Sequence, residues 1–141
     1  MSSRAFAFWG GIVMLVMGAL SMIPALSAHP PWLPPLRFDV SYGLFLNIFP
    51  LNILNKLALL GFGLAGVITS NSITGSIRYS RIVFLVMGAL AILGLFPATN
   101  TLFGLMPLYG PEVLTHAIFA LLGAYAGYAS AARLGTPRSP A

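Results

Sequence analysis

Long apolar stretches, separated by short polar or proline-rich segments, dominate the chain. About 20 apolar residues are enough to cross a bilayer as a helix, and backbone polar groups in lipid are satisfied only within helices or closed barrels. The stretches lack the period-two alternation typical of half-buried strands, so helices are predicted. The predicted spans cover about residues 5–26, 51–70, 81–98 and 112–131.

The pattern occurs twice. VMLVMGAL at residues 13–20 recurs as VFLVMGAL at residues 83–90, and each half has a second apolar run that begins at a proline, Pro50 or Pro107. Because a pair of helices crosses and returns, both copies enter the membrane from the same side. We therefore predict an all-α integral membrane four-helix bundle, a single transmembrane domain over residues 1–141. It is built from two parallel-repeated helical hairpins at about residues 8–70 and 78–131.

Composition and charge support a membrane protein and predict its orientation. Apolar residues make up 58% of the chain and charged residues 6%, against roughly 25% charged in soluble domains. The net charge of +5 lies mainly in loops, which favours membrane orientation over nucleic-acid binding. The positive-inside rule predicts cytoplasmic termini, because Arg4, Arg78, Arg81, Arg133 and Arg138 share one predicted side, whereas Arg37, Asp39 and Lys56 lie on the other.

Enzyme chemistry has few candidate residues. The sequence has no cysteine and only two acidic residues, which leaves little for metal or acid–base catalysis. No HExxH motif, phosphate-binding loop or serine with a plausible base is present. We therefore predict a protein that is not an enzyme and has no metal site.

The loops opposite the termini carry two kinds of segment. His29–Leu36 contains four prolines, which exclude a regular helix and predict a stiff, partly polyproline loop with Trp32 at the headgroup level. A rigid loop and a docking element for a partner are both open interpretations. Residues 42–49 and 101–106 are predicted to be interfacial segments or single helical turns.

Ionisable residues within or at the edge of spans are the candidates for chemistry. Lys56 and His116 occupy equivalent places in the two halves, and Glu112 lies one turn before His116. A polar cluster is predicted between the two proline-headed helices, formed by Asn52, Asn55, Lys56, Glu112, Thr115 and His116.

Three interpretations of this cluster are open. A Lys56–Glu112 ion pair, with His116 hydrogen-bonded nearby, would join the two halves at the interface. Alternatively, His116 binds a cofactor, for example through the metal of a chlorin or haem. The third interpretation is a proton or ion path through Glu112 and His116, although spans one and three offer no further relay group beyond Ser21.

Small residues predict where helices approach one another, because close backbone contact and dispersion hold helices together in lipid. Span four contains Gly123 and Gly127 at i, i+4 spacing, and span two contains Gly61 four residues before Ala65. The predicted packing residues are Gly18, Gly61, Gly88, Gly123 and Gly127.

Two segments carry a resemblance. FPLNILNKL at residues 49–57 with GFGLAG at 61–66, and NTLFGLMPLYG at 100–110 with VLTHA at 113–117, resemble a bacterial family of small four-span integral membrane proteins. That family is catalogued as a domain of unknown function, and the likeness covers roughly residues 8–130. It implies the four-helix membrane fold and a location in a bacterial inner or photosynthetic membrane. Family members commonly carry histidines in the second span, where this chain has Asn55 and Leu59, whereas His116 is retained.

The function predicted from these features is a non-catalytic accessory or structural subunit. It would lie in the lipid bilayer and pack against other integral membrane subunits of a larger complex, photosynthetic or respiratory. One alternative is a pigment- or cofactor-binding membrane protein that uses His116. A small transporter is a further alternative.

Overall fold

The computed structural model describes residues 1–134, which form four long helices and a small sheet. The helices are α1 (Ser3–Ser21), α2 (Ile53–Thr69), α3 (Ile73–Leu95) and α4 (Pro111–Ala132). Three of them, α1, α3 and α4, are long and apolar enough to cross a membrane. Helix α2 is apolar but has 17 residues, which corresponds to about 25 Å at the usual rise per residue.

Two helix ends differ from the predicted span boundaries. Helix α1 ends at Ser21, five residues before the predicted end, since Pro24 starts a short 3₁₀ turn (Pro24–Leu26). Helix α3 begins at Ile73 rather than at residue 81, because the side chain of Ser72 caps its first turn by accepting a hydrogen bond from the Gly75 amide. Helix α3 therefore has 23 residues, five more than the predicted span at residues 81–98.

The helices pack most extensively in two pairs, α1 with α2 and α3 with α4. The pairs meet along α1 and α3, where Phe6, Met14, Tyr79, Val83 and Met87 are buried. Helices α2 and α4 make few contacts with each other. This arrangement leaves a cleft between α2 and α4.

A three-stranded antiparallel sheet covers one end of the bundle, which we call the loop end. Its strands are β1 (Ser27–Ala28), β2 (Gly43–Phe45) and β3 (Phe49–Leu51), in that order across the sheet. Leu44 pairs with Ala28 on one side and with Pro50 on the other. The fold is thus mostly helical rather than all-α, and residues 42–49 form a β-hairpin rather than a helical turn.

The two connections at the loop end contain the same turn. In the first, the backbone amides of Asn47 and Ile48 donate to the carbonyls of Leu44 and Phe45. In the second, fifty-seven positions later, Gly104 and Leu105 donate to Thr101 and Leu102 in the same way. Residues 46 and 47 have positive φ, and so do their counterparts 103 and 104. Each turn leads to a buried Pro-Leu pair, Pro50-Leu51 or Pro107-Leu108.

The opposite end of the bundle, which we call the arginine end, brings together the starts of α1 and α3 and the ends of α2 and α4. The Arg4 side chain donates to the carbonyl of Ser70 at 2.8 Å, and Arg81 donates to the carbonyl of Gly127 at 2.9 Å. Residues Tyr125–Ala129 of α4 form a π-helical turn. Such a turn disturbs the regular i→i+4 hydrogen bonds, and here the carbonyls of Ala126 and Gly127 accept side-chain donors from Ser3 and Arg81.

Candidate functional site

Asn52 joins the start of α2 to both loops. Its side-chain oxygen caps the helix by accepting from the amides of Leu54 and Asn55, at 3.1 and 3.3 Å. Its side-chain nitrogen donates to the carbonyl of Phe38 at 2.9 Å and to that of Leu105 at 2.6 Å. Asn52 is fully buried, so its amide satisfies groups from three separate segments of the chain.

Asn55 adds a second connection between the halves. Its side-chain oxygen accepts from the Asn52 amide at 3.0 Å, completing a capping box, and its nitrogen donates to the Pro107 carbonyl at 3.1 Å. In addition, the backbone amides of Arg37 and Phe38 both donate to the carbonyl of Gly104. The polar groups of the loop end therefore act mainly as structural connections between the two loops.

A pair of tyrosines provides a further connection. The hydroxyls of Tyr42 and Tyr109 are hydrogen-bonded to each other, and Tyr42 also donates to the carbonyl of Pro34. Burial raises the pKa of both phenols above the ordinary value of 10. Both groups therefore remain neutral hydrogen-bonding partners at physiological pH.

Lys56 points towards the first loop. Its ammonium group donates to the carbonyl of Ser41 at 2.9 Å and to the Ser41 hydroxyl at 2.7 Å. Ser41 has a φ of 57°, which turns the chain so that both oxygens face the lysine. Lys56 is only 3% exposed. The two Ser41 oxygens that accept its hydrogen bonds are neutral, so the buried ammonium group is held without a counter-charge.

Glu112 and His116 form a separate pair on α4. The Nε2 atom of His116 lies 3.6 Å from Oε2 of Glu112, and both side chains are nearly buried. The Nδ1 atom of His116 is buried and has no hydrogen-bond partner among residues 1–134. Thr115 donates to the carbonyl of Pro111, in its own helix.

The predicted polar cluster is thus divided into two groups. Asn52, Asn55 and Lys56 bind the loops, while Glu112 and His116 face the cleft. The proposed Lys56–Glu112 ion pair is wrong: within the described residues, Lys56 binds Ser41 and Glu112 approaches His116. Sequence spacing placed the residues on the correct helix faces, but Ser41 carried no signal that would have identified it as the partner.

A cavity of about 50 Å³ occupies the cleft between α2 and α4. Its walls are mostly apolar, and four methionines contribute to them. Asn55, Glu112, Thr115 and His116 are its polar lining residues. The enclosed space is smaller than the roughly 300–1,000 Å³ of ordinary ligand pockets, so a chlorin or haem on His116 would require the helices to separate. That assignment stays a prediction.

Two of the predicted packing glycines lie where a side chain would not fit, and a third is tightly packed. A Cβ atom at Gly123 would lie 2.8 Å from the Ser80 carbonyl oxygen, and one at Gly127 would lie 2.8 Å from Cγ of Arg81. At Gly18 the nearest atoms belong to Leu60, at 3.0 Å. Gly88 is packed more loosely, since its nearest neighbour is the Cβ atom of Ala120 at 3.8 Å.

Gly61 is not an internal packing residue. Apart from its chain neighbours and the nearby backbone of its own helix, no atom of the described residues lies within 4 Å of a Cβ placed there, and Gly61 and Ala65 are both exposed. A close approach of α1 and α2 instead uses Gly11 and Gly63, where a Cβ on either residue would lie 2.7–2.8 Å from the other's carbonyl oxygen. Sequence analysis missed both residues, because Gly11 directly follows Gly10 and Gly63 lies between Gly61 and Gly66. Their spacing does not show which of these glycines meets a neighbouring helix.

Apolar helices of spanning length, held together by close glycine contacts, define the class as a small helical membrane protein. The chain belongs to the family described as "Domain of unknown function (DUF4383)", whose model matches residues 4–129. The resemblance found in the sequence is therefore confirmed. No curated protein and no solved structure matches the chain.

Proposed function

We propose that this protein is a non-catalytic integral membrane subunit that packs against a larger membrane protein through the exposed face of α2. The observation that carries the proposal is a shallow groove on that face, lined by Ala58, Gly61, Phe62 and Ala65. The groove lies on the outside of the bundle, because Gly61 and Ala65 are exposed.

The argument for a partner rests on how helices associate in lipid. Without a hydrophobic driving force, two helices need small residues that allow their backbones to approach. Gly11 and Gly63 already serve this purpose between α1 and α2. Gly61 and Ala65 repeat the small-xxx-small spacing on the outward face of the same helix, where a partner helix would fill the groove.

The proposed topology has four spans with both termini in the cytoplasm. Within the described residues, Arg4, Arg78, Arg81 and Arg133 lie on segments at the arginine end, and the loop end carries two basic and two acidic residues. This charge difference favours a cytoplasmic arginine end. Arg138, which contributes to the same prediction, lies outside the described residues.

Two features support a duplicated hairpin. The hydrogen bonds of the turn at residues 44–48 match those at 101–105. Gly63 approaches Gly11 and Leu15 much as Gly123 approaches Ser80 and Phe84. In each case the glycine faces a carbonyl oxygen and the amide nitrogen four residues later. On this topology the short α2 would cross a locally thinned bilayer or be extended by the apolar strand before it.

The test is the size of the complex extracted from native membranes by a mild detergent. Gly61→Leu fills the groove with an outward-pointing side chain and leaves the bundle intact, so we expect the complex to be lost while the helical circular dichroism is unchanged. Ala89→Leu is the matched control, because Ala89 is exposed on α3, and it should leave the complex intact. A wild-type protein that migrates alone, or a Gly61→Leu variant that keeps its partner, would contradict the proposal.

The host complex stays a prediction, whether photosynthetic or respiratory, and so does the location in a bacterial inner membrane. The partner in this proposal is identified only by chemistry: a transmembrane helix that presents a ridge of side chains to the small-residue groove.

A further inference from the structure

The cleft contains a buried polar atom for which the fold gives no purpose. The His116 side chain is 10% exposed, and its Nδ1 atom has no hydrogen-bond partner in residues 1–134. Leaving a buried polar group unpaired costs about 1–3 kcal/mol. Asn55 and Thr115 also line the cavity, but neither supplies a partner. Asn55 bonds to Asn52 and Pro107, and Thr115 bonds to Pro111.

His116 and Glu112 approach each other without forming a hydrogen bond, since 3.6 Å separates Nε2 of the histidine from Oε2 of the glutamate. Glu112 therefore does not fix which ring nitrogen carries the proton. In a neutral imidazole, Nδ1 is a donor in one tautomer and an acceptor in the other. A hydroxyl group both donates and accepts, so it satisfies Nδ1 in either tautomer.

The surroundings of the His116 side chain are apolar and adaptable. Met14 and Met17 from α1, together with Met87 from α3, line the cavity, and Phe62 and Phe119 line it from α2 and α4. Methionine side chains are flexible and adjust to irregular shapes. Because α2 and α4 make few contacts with each other, an apolar molecule can extend from the cavity between these two helices.

We propose that the cleft between α2 and α4 binds a lipophilic molecule that carries a hydroxyl group, an alcohol or a phenol. The hydroxyl forms a hydrogen bond with Nδ1 of His116, and the apolar body lies against the methionines and continues between the helices. Ala58 and Phe62 line both this cleft and the groove at Gly61. The present proposal depends on Nδ1 of His116 and not on Gly61 or Ala65, so its failure in a test leaves the proposed docking function unaffected.

The cavity volume determines how much of the ligand enters. A water needs about 10–15 Å³ of such space, and an engineered apolar cavity of about 150 Å³ accepts benzene. The observed 50 Å³ holds a hydroxyl group with a few carbon atoms, and the rest of the molecule lies between α2 and α4. A water alone would satisfy Nδ1 but would leave the apolar walls without contacts.

The test uses the full chain in phosphatidylcholine nanodiscs with two photoreactive probes, an eight-carbon alkanol and the matching alkane, each carrying a diazirine. We expect the alkanol to label peptides of α2 and α4 saturably, with affinity about tenfold above that of the alkane, the value of one hydrogen bond of about 1.4 kcal/mol. His116→Phe should remove this tenfold preference. His29→Phe, which alters an exposed histidine outside the helices, should preserve it.

A second measurement reports on Nδ1 directly and does not require a substitution. In protein with ¹⁵N-labelled histidine, the Nδ1 resonance of His116 should shift on addition of octanol and not of octane. Competition by 4-octylphenol against octanol then distinguishes a phenolic ligand from a lipid alcohol, and preference for either one supports the site. Equal labelling by alkanol and alkane, or an Nδ1 resonance that octanol does not move, would mean that only water occupies the cavity and would overturn the proposal.

Discussion

Asn52 is the position where a single substitution separates two roles that the same side chain performs. Its oxygen caps α2, and its nitrogen bonds to carbonyls of two different loops. Asn52→Ala removes both roles. Loss of a helix cap costs about 1 kcal/mol, and loss of two buried hydrogen bonds costs about 1 kcal/mol each. We therefore expect the free energy of unfolding to fall by about 3 kcal/mol.

Asn52→Asp keeps the cap and removes the two donated hydrogen bonds. The aspartate oxygen still accepts from the first amides of α2, where a negative charge is also favourable. Its second oxygen, however, faces the carbonyls of Phe38 and Leu105, both of which need a donor. We expect a loss of at least about 2 kcal/mol, because those two bonds disappear and repulsion replaces them.

Ser72 is the matched control, since it caps α3 from an exposed position, where its side-chain oxygen accepts a hydrogen bond from the Gly75 amide. Ser72→Ala should cost about 1 kcal/mol and Ser72→Asp close to nothing. Unfolding is followed by circular dichroism at 222 nm as dodecyl sulfate is added to dodecyl maltoside micelles. If Asn52→Asp were as stable as the wild type, Asn52 would act as a cap alone and the argument that it connects the loops would fail.

Three further predictions address helix packing, orientation and pH. Gly63→Ala should destabilise the bundle by about 1–3 kcal/mol in the same assay, since its Cβ would lie 2.7 Å from the Leu15 amide, and Gly61→Ala should be neutral; equal effects would refute the packing. In a chain without native cysteine, Asp39→Cys should react with an impermeant maleimide outside intact cells, and Ser72→Cys only after permeabilisation. The opposite result would invert the topology. Because burial raises the pKa of Tyr109 above 10, its neutral form stabilises the folded state below pH 10, and this contribution should disappear at higher pH. Tyr109→Phe should reduce the alkaline loss of stability, while Tyr42, whose pKa is also raised by burial, keeps a contribution of its own. An unchanged pH profile would contradict the prediction.

The apolar runs alone determined the class of protein and the number of long helices. Run length and composition are local properties, and they act in the same way wherever the helix lies in the bundle. The helix ends were less predictable, because they depend on single caps: Ser72 lengthened α3 at its start, and Pro24 shortened α1. The three-stranded sheet has strands of only two or three residues, too short to give a periodic signal.

Tertiary structure alone decided the partners of the polar groups and the roles of the glycines. Asn52 bonds to Leu105, 53 residues away, and Lys56 bonds to Ser41, whose position depends on a turn with positive φ. Gly61 and Gly63 are two residues apart on one helix, yet only Gly63 meets another backbone. Residues at this spacing project to different sides of a helix, and which side faces a neighbour depends on how the helices pack.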